Sequence, residues 1–232
     1  MPPHLLFDLD GVVVDSELAR DGVMRDFLAS FGKAYDRDRT KPKLAGKHDL
    51  EVAAVIKEEY GLPGTPQEIK AARTETIRRL YADTVPFVPG FLGFYKGLRT
   101  AFPSARVAAA SGMDAQYYDL VDARLGLTML FEGNVVLSHR LGARSKPAPD
   151  IFLRAAEGIG VEPGSCIVFE DAPGGIAAAN AAGMRAVALT RTFTREILDA
   201  ESARLLERSP DVLYVDSFDP VAFSTVIEFI GC

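Results

Sequence analysis

Cysteine is almost missing from this chain of 232 residues, with only Cys166 and Cys232 present, and histidine is scarce at three. Two cysteines, one in an apparent strand and one at the last position, argue against a disulfide framework and for a reducing compartment. The same scarcity leaves His48 without a histidine or cysteine partner at metal-ligand spacing. An excess of positive charge is missing too: 26 Lys and Arg stand against 32 Asp and Glu, for a net charge of −6. Nonspecific nucleic-acid binding draws its affinity from neutralised phosphates, so that partner class is not expected. A local cationic site for a small anionic substrate stays compatible with this field. No apolar run approaches the length needed to cross a bilayer, and Met1-Pro2-Pro3-His4 does not begin a basic segment followed by an apolar one. A cytoplasmic protein with no membrane partner, favoured as a monomer, is the expectation. No internal repeat, low-complexity segment or long run of one charge sign is found.

What is present is an ordinary globular composition, 48% apolar and 25% charged, and a pattern that changes along the chain. The run His4-Leu5-Leu6-Phe7-Asp8-Leu9-Asp10-Gly11 reads as a buried strand delivering two acids to a turn. Side chains alternate along a strand, so Asp8 and Asp10 share a face if the extended geometry lasts to the second. Asp15-Ser16 then offers a helix cap. From residue 16 to 85 apolar residues recur at helical spacing without a strand-like run, broken at Gly32, at Pro42 to Gly46, and at Gly61 to Pro66, where Thr65 can cap a helix over Pro66. Val85 to Gly90, stiffened by two prolines, is the expected return linker. Beyond it helices and strands alternate, with strands at Arg106 to Ala110, Gly133 to Leu137, Cys166 to Phe169 and Ala186 to Leu189. That rhythm predicts an α/β fold with a parallel sheet covered on both faces. An edge strand near Val212 to Val215 and a final helix burying Phe223, Val226, Ile227 and Ile230 close the chain.

In such sheets ligands gather at the carboxyl ends of strands near a topological switch, and the chemically interesting residues fall there. Ser111-Gly112 follows a strand and can offer a hydroxyl and backbone N–H groups to an anion, or serve as simple turn chemistry with Asp114 as cap. Lys146 sits in Ser145-Lys146-Pro147-Ala148-Pro149-Asp150, rigidly mounted ahead of a helix, and reads as an anion contact or a solvated lysine. Glu170-Asp171 ends another apolar strand. Clustered carboxylates repel unless a cation neutralises them, and hard oxygen ligands suit Mg²⁺.

These four stretches, Phe7 to Glu17, Ser111, Lys146 to Asp150 and Glu170-Asp171, resemble in order and spacing the motifs of the haloacid dehalogenase-like phosphohydrolases. The helical block is similar to the small cap of the group holding β-phosphoglucomutase, sugar-phosphate phosphatases and pseudouridine-5′-phosphatase. The resemblance implies a Rossmann-like catalytic core of residues 1–15 and 86–232 with a helical cap of residues 16–85. It implies a Mg²⁺-dependent phosphatase acting on a small phosphorylated sugar, polyol or nucleoside. Asp8 would be the nucleophile and Asp10 the general acid and base. Mg²⁺ would be held by Asp8, the Asp10 carbonyl and Asp171, with Glu170 reaching it through water. Ser111, Gly112 and Lys146 would hold the phosphoryl group. In the cap loop, Ala45 stands where the mutase has a lysine for a second phosphate, which favours hydrolysis over phosphoglucomutase-type transfer. Lys47 and His48 remain as substrate contacts there, Lys47 reading equally as a solvated loop charge. A noncatalytic phosphate-binding protein on the same fold is the other alternative.

Overall fold

The computed structural model describes residues 3–44, 47, 49–138, 142 and 144–231, the side chain of Leu18 excepted. Six parallel strands form one sheet: β1 (His4–Phe7), β2 (Val107–Ser111), β3 (Val135–Leu137), β4 (Cys166–Glu170), β5 (Arg185–Leu189) and β6 (Val212–Val215), in the order β3-β2-β1-β4-β5-β6. Their near-continuous apolar sequences fit strands buried on both faces. Alternation sends Leu5, Phe7, Val107, Ala109, Ile167 and Phe169 to one face and Leu6, Ala108, Ala110 and Val168 to the other. Phe7 stacks on Phe169 at 4.5 Å between ring centroids, locking the two central strands together directly below their carboxyl ends.

One face is covered by α5 (Phe91–Ala101), whose Phe91, Phe94, Tyr95 and Leu98 follow the i, i+3, i+4, i+7 spacing. The other is covered by α8 (Asp150–Gly158) and α9 (Pro173–Ala181) through Phe152, Ala155, Ile176 and Ala179. The chain steps from β1 outward through β2 and β3, then returns to the far side of β1 as β4. A crevice therefore opens beyond the ends of β1, β2 and β4.

Between β1 and α5 lie α1 (Glu17–Ala29), α2 (Arg37–Leu44), α3 (Asp49–Tyr60) and α4 (Pro66–Asp83), with their own apolar cluster of Met24, Leu28, Val52, Ile56, Leu62 and Ile69. Thr65 caps α4 as expected, in a reciprocal capping box with Glu68. The last turns of α4 send Ile77 and Tyr81 into the sheet's core. The two connections run side by side, tied by Asp15 N to Pro86 O at 2.8 Å and Val88 N to Val13 O at 2.9 Å.

Three local expectations are corrected. The break at Pro42 falls inside α2: Thr40 Oγ1 meets Tyr60 OH at 2.6 Å and Lys41 Nζ meets Asp21 at 2.7 Å, tertiary contacts that offset the missing N–H. Ser16 precedes α1 without a side-chain capping bond, because its hydroxyl is donated to Asp10. β1 ends at Phe7, so Asp8 and Asp10 lie beyond the strand. The short α7 (Leu127–Leu130) follows α6 (Ala115–Leu125), and α10 (Arg195–Leu206) and α11 (Pro220–Gly231) flank β6. Among the described residues no helix is long and apolar enough to cross a membrane.

Candidate active site

Asp8 is the first residue past β1, and its N–H extends the ladder one step to Phe169 O at 2.9 Å. The chain then folds back on itself, with Val13 and Val14 N–H groups both donating to Leu9 O at 2.9 Å and Gly11 at a φ of +80°. A β-carbon on Gly11 would lie 1.9 Å from Asp171 Oδ2, so this glycine is required twice, for its backbone angle and for the space the carboxylate fills. β4 delivers Glu170 and Asp171 beside it.

Lys146 joins these strand ends. Its Nζ lies 2.5 Å from Asp8 Oδ1 and 2.5 Å from Glu170 Oε1, with the Phe152 ring 4.9 Å away. Arg144 and Asp150 clamp the loop that carries it, at 2.8 and 3.1 Å. Burial alone would lower the ammonium's pKa, but Asp8 and Glu170 outweigh it and hold the group protonated. Burial pushes the Asp8 carboxyl well above the usual range, with Lys146 opposing and Glu170 adding to the rise. Asp171 is likewise pushed well up by burial and by the charges of Glu17, Glu170 and Asp8, while Thr192 donates its hydroxyl to it. Ser111, 1% exposed at the end of β2, accepts the Met113 N–H at 3.1 Å and holds the turn through Gly112. Asp114 caps α6 by accepting from Gln116 N.

Asp10 has different neighbours. Its Oδ1 accepts from Ser16 and, at 2.6 Å, from Tyr81 OH on α4, while Arg20 Nη1 stands 3.9 Å from Oδ2. Arg20 also donates to Tyr81 OH at 2.9 Å. Burial raises the Asp10 pKa and Arg20 opposes it. Two acids two residues apart are thus separated chemically, one against an ammonium and the other against neutral hydroxyls with a more distant guanidinium.

The donor set fits a hard divalent cation. Asp8 and Asp171 are buried carboxylates whose ionised forms are penalised first by burial and then by neighbouring acids, Glu170 for both and Asp8 itself for Asp171, a penalty that a cation held by the two would relieve. The space left by Gly11 is what lets Asp171 approach. Glu170 Oε1 faces Lys146, and Oε2 accepts from the N–H groups of Asp171 and Ala172, at 2.8 and 3.0 Å. These donors leave Oε1 a further lone pair, so the expected place of Glu170 at the ion through water is compatible with its hold on the lysine. Among the described residues no three His, Cys, Asp or Glu side chains cluster tightly enough to enclose an ion by themselves. Backbone oxygen, water or substrate would complete the shell.

All these residues open on one cavity of about 390 Å³ between the sheet and the inserted helices. Asp8, Asp10, Ser111, Gly112, Lys146, Glu170 and Asp171 line it, as does the exposed Lys47. His48, expected as a substrate contact, lies outside the described residues, together with Ala45 and Gly46. Sequence reasoning missed Arg20, Arg73, Tyr81 and Tyr117, which reach the cavity or Asp10 from helices. The one available signal was a polar or aromatic residue on the apolar stripe of each helix.

A family model described as haloacid dehalogenase-like hydrolase matches residues 3–183. Fructose-1-phosphate phosphatase YqaB of Escherichia coli is 34% identical over 183 residues, covering 79% of this chain and 94% of that protein. A probable pseudouridine-5′-phosphatase of Drosophila melanogaster is 33% identical over 190 residues, covering 79% and 80% respectively. Among solved structures, a conserved haloacid dehalogenase-like protein of unknown function from Agrobacterium tumefaciens superposes with a TM-score of 0.80 over the whole of both chains at 23% identity, a likeness of fold.

Proposed function

This chain belongs to the haloacid dehalogenase-like hydrolases and is a phosphoric monoester hydrolase; from that premise we propose that it cleaves a small phosphorylated sugar, polyol or nucleoside through an aspartyl-phosphate on Asp8, with Mg²⁺ as its metal. The relatives that act on fructose 1-phosphate and pseudouridine 5′-phosphate support the substrate class. Residues 16–85 serve as the cap over a core of residues 1–15 and 86–232.

Asp8 attacks phosphorus and the ester P–O bond breaks, while Asp10 gives its proton to the departing alkoxide. Water then attacks the aspartyl-phosphate, Asp10 takes its proton, and Asp8 is released with inorganic phosphate. Lys146 and Ser111 face the phosphoryl oxygens and offset the charge that builds on them. Mg²⁺, held by Asp8, Asp171 and the Asp10 carbonyl, would supply further charge neutralisation when bound. The observation that carries this reading is the divergent setting of Asp8 and Asp10, Lys146 at 2.5 Å from the first and the Tyr81 hydroxyl at 2.6 Å from the second. Inorganic phosphate released from fructose 1-phosphate or pseudouridine 5′-phosphate in the presence of Mg²⁺ is the expected result. Binding of these esters without release would favour the noncatalytic protein instead.

Tyr81 makes a graded test of the proton donor. Asp10→Asn should lower kcat by on the order of a hundredfold or more, the scale of a lost general acid. Tyr81→Phe leaves the acid in place and removes one hydrogen bond to it, so a fall of about tenfold is expected. Read in kcat/KM, which reports only the step that forms the aspartyl-phosphate, both falls should shrink with an aryl phosphate, whose phenolate leaves with less need of a proton. Equal losses of kcat/KM on alkyl and aryl esters would remove Asp10 from the role of acid.

A further inference from the structure

Thr192 lies in the loop between β5 and α10 and is buried. β5 pairs with β4, so this loop stands beside the strand end that delivers Asp171. A threonine hydroxyl has one proton to give, and here it goes to Asp171 Oδ2. That is the oxygen for which Gly11 leaves room, so the rotation of the carboxylate is fixed from two sides. The main chain of Thr192 is held from another part of the molecule: its carbonyl accepts from Arg37 Nη2 on α2, at 2.7 Å and across 155 residues. Arg37 is itself aimed, because its Nε donates to the buried Asp21 at 2.8 Å, and Asp21 is gripped in turn by Lys41 Nζ at 2.7 Å and Tyr35 OH at 3.2 Å. Next to it, Arg191 ties the loop to Asp15 at 3.0 Å, and Thr194 caps α10.

We propose that Thr192 is a positioning residue for Asp171, set in place by Arg37, so that the inserted helices help to build the metal site. The inference rests on the reading of Asp171 as a metal ligand. A ligating carboxylate free to rotate must be ordered when the ion arrives, and the group that orients it carries part of the affinity. The β-branched threonine, stiff at χ1, suits this task once its main chain is pinned. Arg37 also makes the sign of the effect diagnostic. Removing a positive charge from the neighbourhood of a divalent cation strengthens binding by Coulomb's law alone, whereas releasing the loop behind Asp171 weakens it.

The test is calorimetric titration of Mg²⁺ onto the metal-free full chain, which needs no turnover. Thr192→Val, nearly isosteric, should raise the Mg²⁺ Kd by about tenfold or more, the scale of a lost partner behind a metal ligand, and Thr192→Ser should restore it to within about threefold of the wild type. Arg37→Met should raise the Kd by about threefold or more in the wild type and by nothing further in Thr192→Val, since the hydroxyl it places is then gone. Arg37 has a side chain 35% exposed, so its variant carries the test even where Thr192→Val does not fold. An unchanged Kd in Thr192→Val, a serine no better than the valine, tighter or unchanged binding in Arg37→Met, or the same loss from Arg37→Met in both backgrounds would each overturn the inference while leaving the metal reading in place. Mg²⁺ affinity that survives Asp171→Asn would sink the metal reading and the inference with it.

Discussion

Asp8→Asn should remove turnover altogether, by on the order of 10⁴-fold or more, while leaving the protein folded. The size follows from the role: without the nucleophile no aspartyl-phosphate forms, and what remains is substrate binding beside a cationic amine. Folding should survive because Lys146 keeps Glu170 at 2.5 Å when Asp8 loses its charge, so the ammonium is not stranded. Asp8 is also one of the acids whose ionisation burial penalises, so a neutral amide there relieves rather than adds strain on the site. Urea unfolding of the variant should lie within about 1 kcal/mol of the wild type. Initial rates on an aryl phosphate give the loss, and acid quenching of the wild type during turnover should trap a phosphorylated chain that the variant never shows. A variant that keeps even a hundredth of the activity would take the nucleophile's role from Asp8.

How much of this was legible beforehand differs by element. The ends of β1 and β4 were readable because each couples a short apolar run to acids and a glycine, a juxtaposition that ordinary packing does not call for. The edge strand β6 and the inward residues Val226 and Ile230 of α11 were readable from period alone. Tyr81 was not, since the helical stripe through Ile77 and Leu80 is satisfied without it, and its hydroxyl meets Asp10 across 71 residues. Arg73 and Tyr117 belong with it: on a helix their periodicity says core, and only the tertiary structure brings them to the cavity. Ser16 misled in the opposite direction, because a serine before a helix is a good cap by propensity and here a nearby carboxylate outcompetes the helix for its hydroxyl. α10 carries no motif and a weak stripe, so the sequence between Arg191 and Val212 stayed unread until Leu198 and Ser202 were seen buried.

Chelation should silence the enzyme as completely as the loss of Asp8, and Mg²⁺ should restore it. The charge balance gives the reason. Asp8, Asp10, Glu170 and Asp171 face Lys146 and Arg20, so the site is in carboxylate excess before a phosphate monoester brings more negative charge. A fall of at least about 10³-fold in EDTA is expected, several kcal/mol of lost charge neutralisation. A second readout does not involve turnover. A ligand that binds only the folded chain stabilises it, by about 2.7 kcal/mol at a hundred times its dissociation constant, so saturating Mg²⁺ should raise the unfolding midpoint of the wild type. In Gly11→Ala that gain should vanish, because the added methyl group falls 1.9 Å from Asp171 Oδ2 and must displace it. The variant should also lose about 1–2 kcal/mol in metal-free buffer, for an alanine held at a φ of +80°. Full activity in chelator, or a Mg²⁺-dependent midpoint that Gly11→Ala leaves intact, would show that Asp171 and Asp8 do not share an ion, and the carboxylates at the ends of β1 and β4 would then need another source of positive charge than Lys146 alone can give.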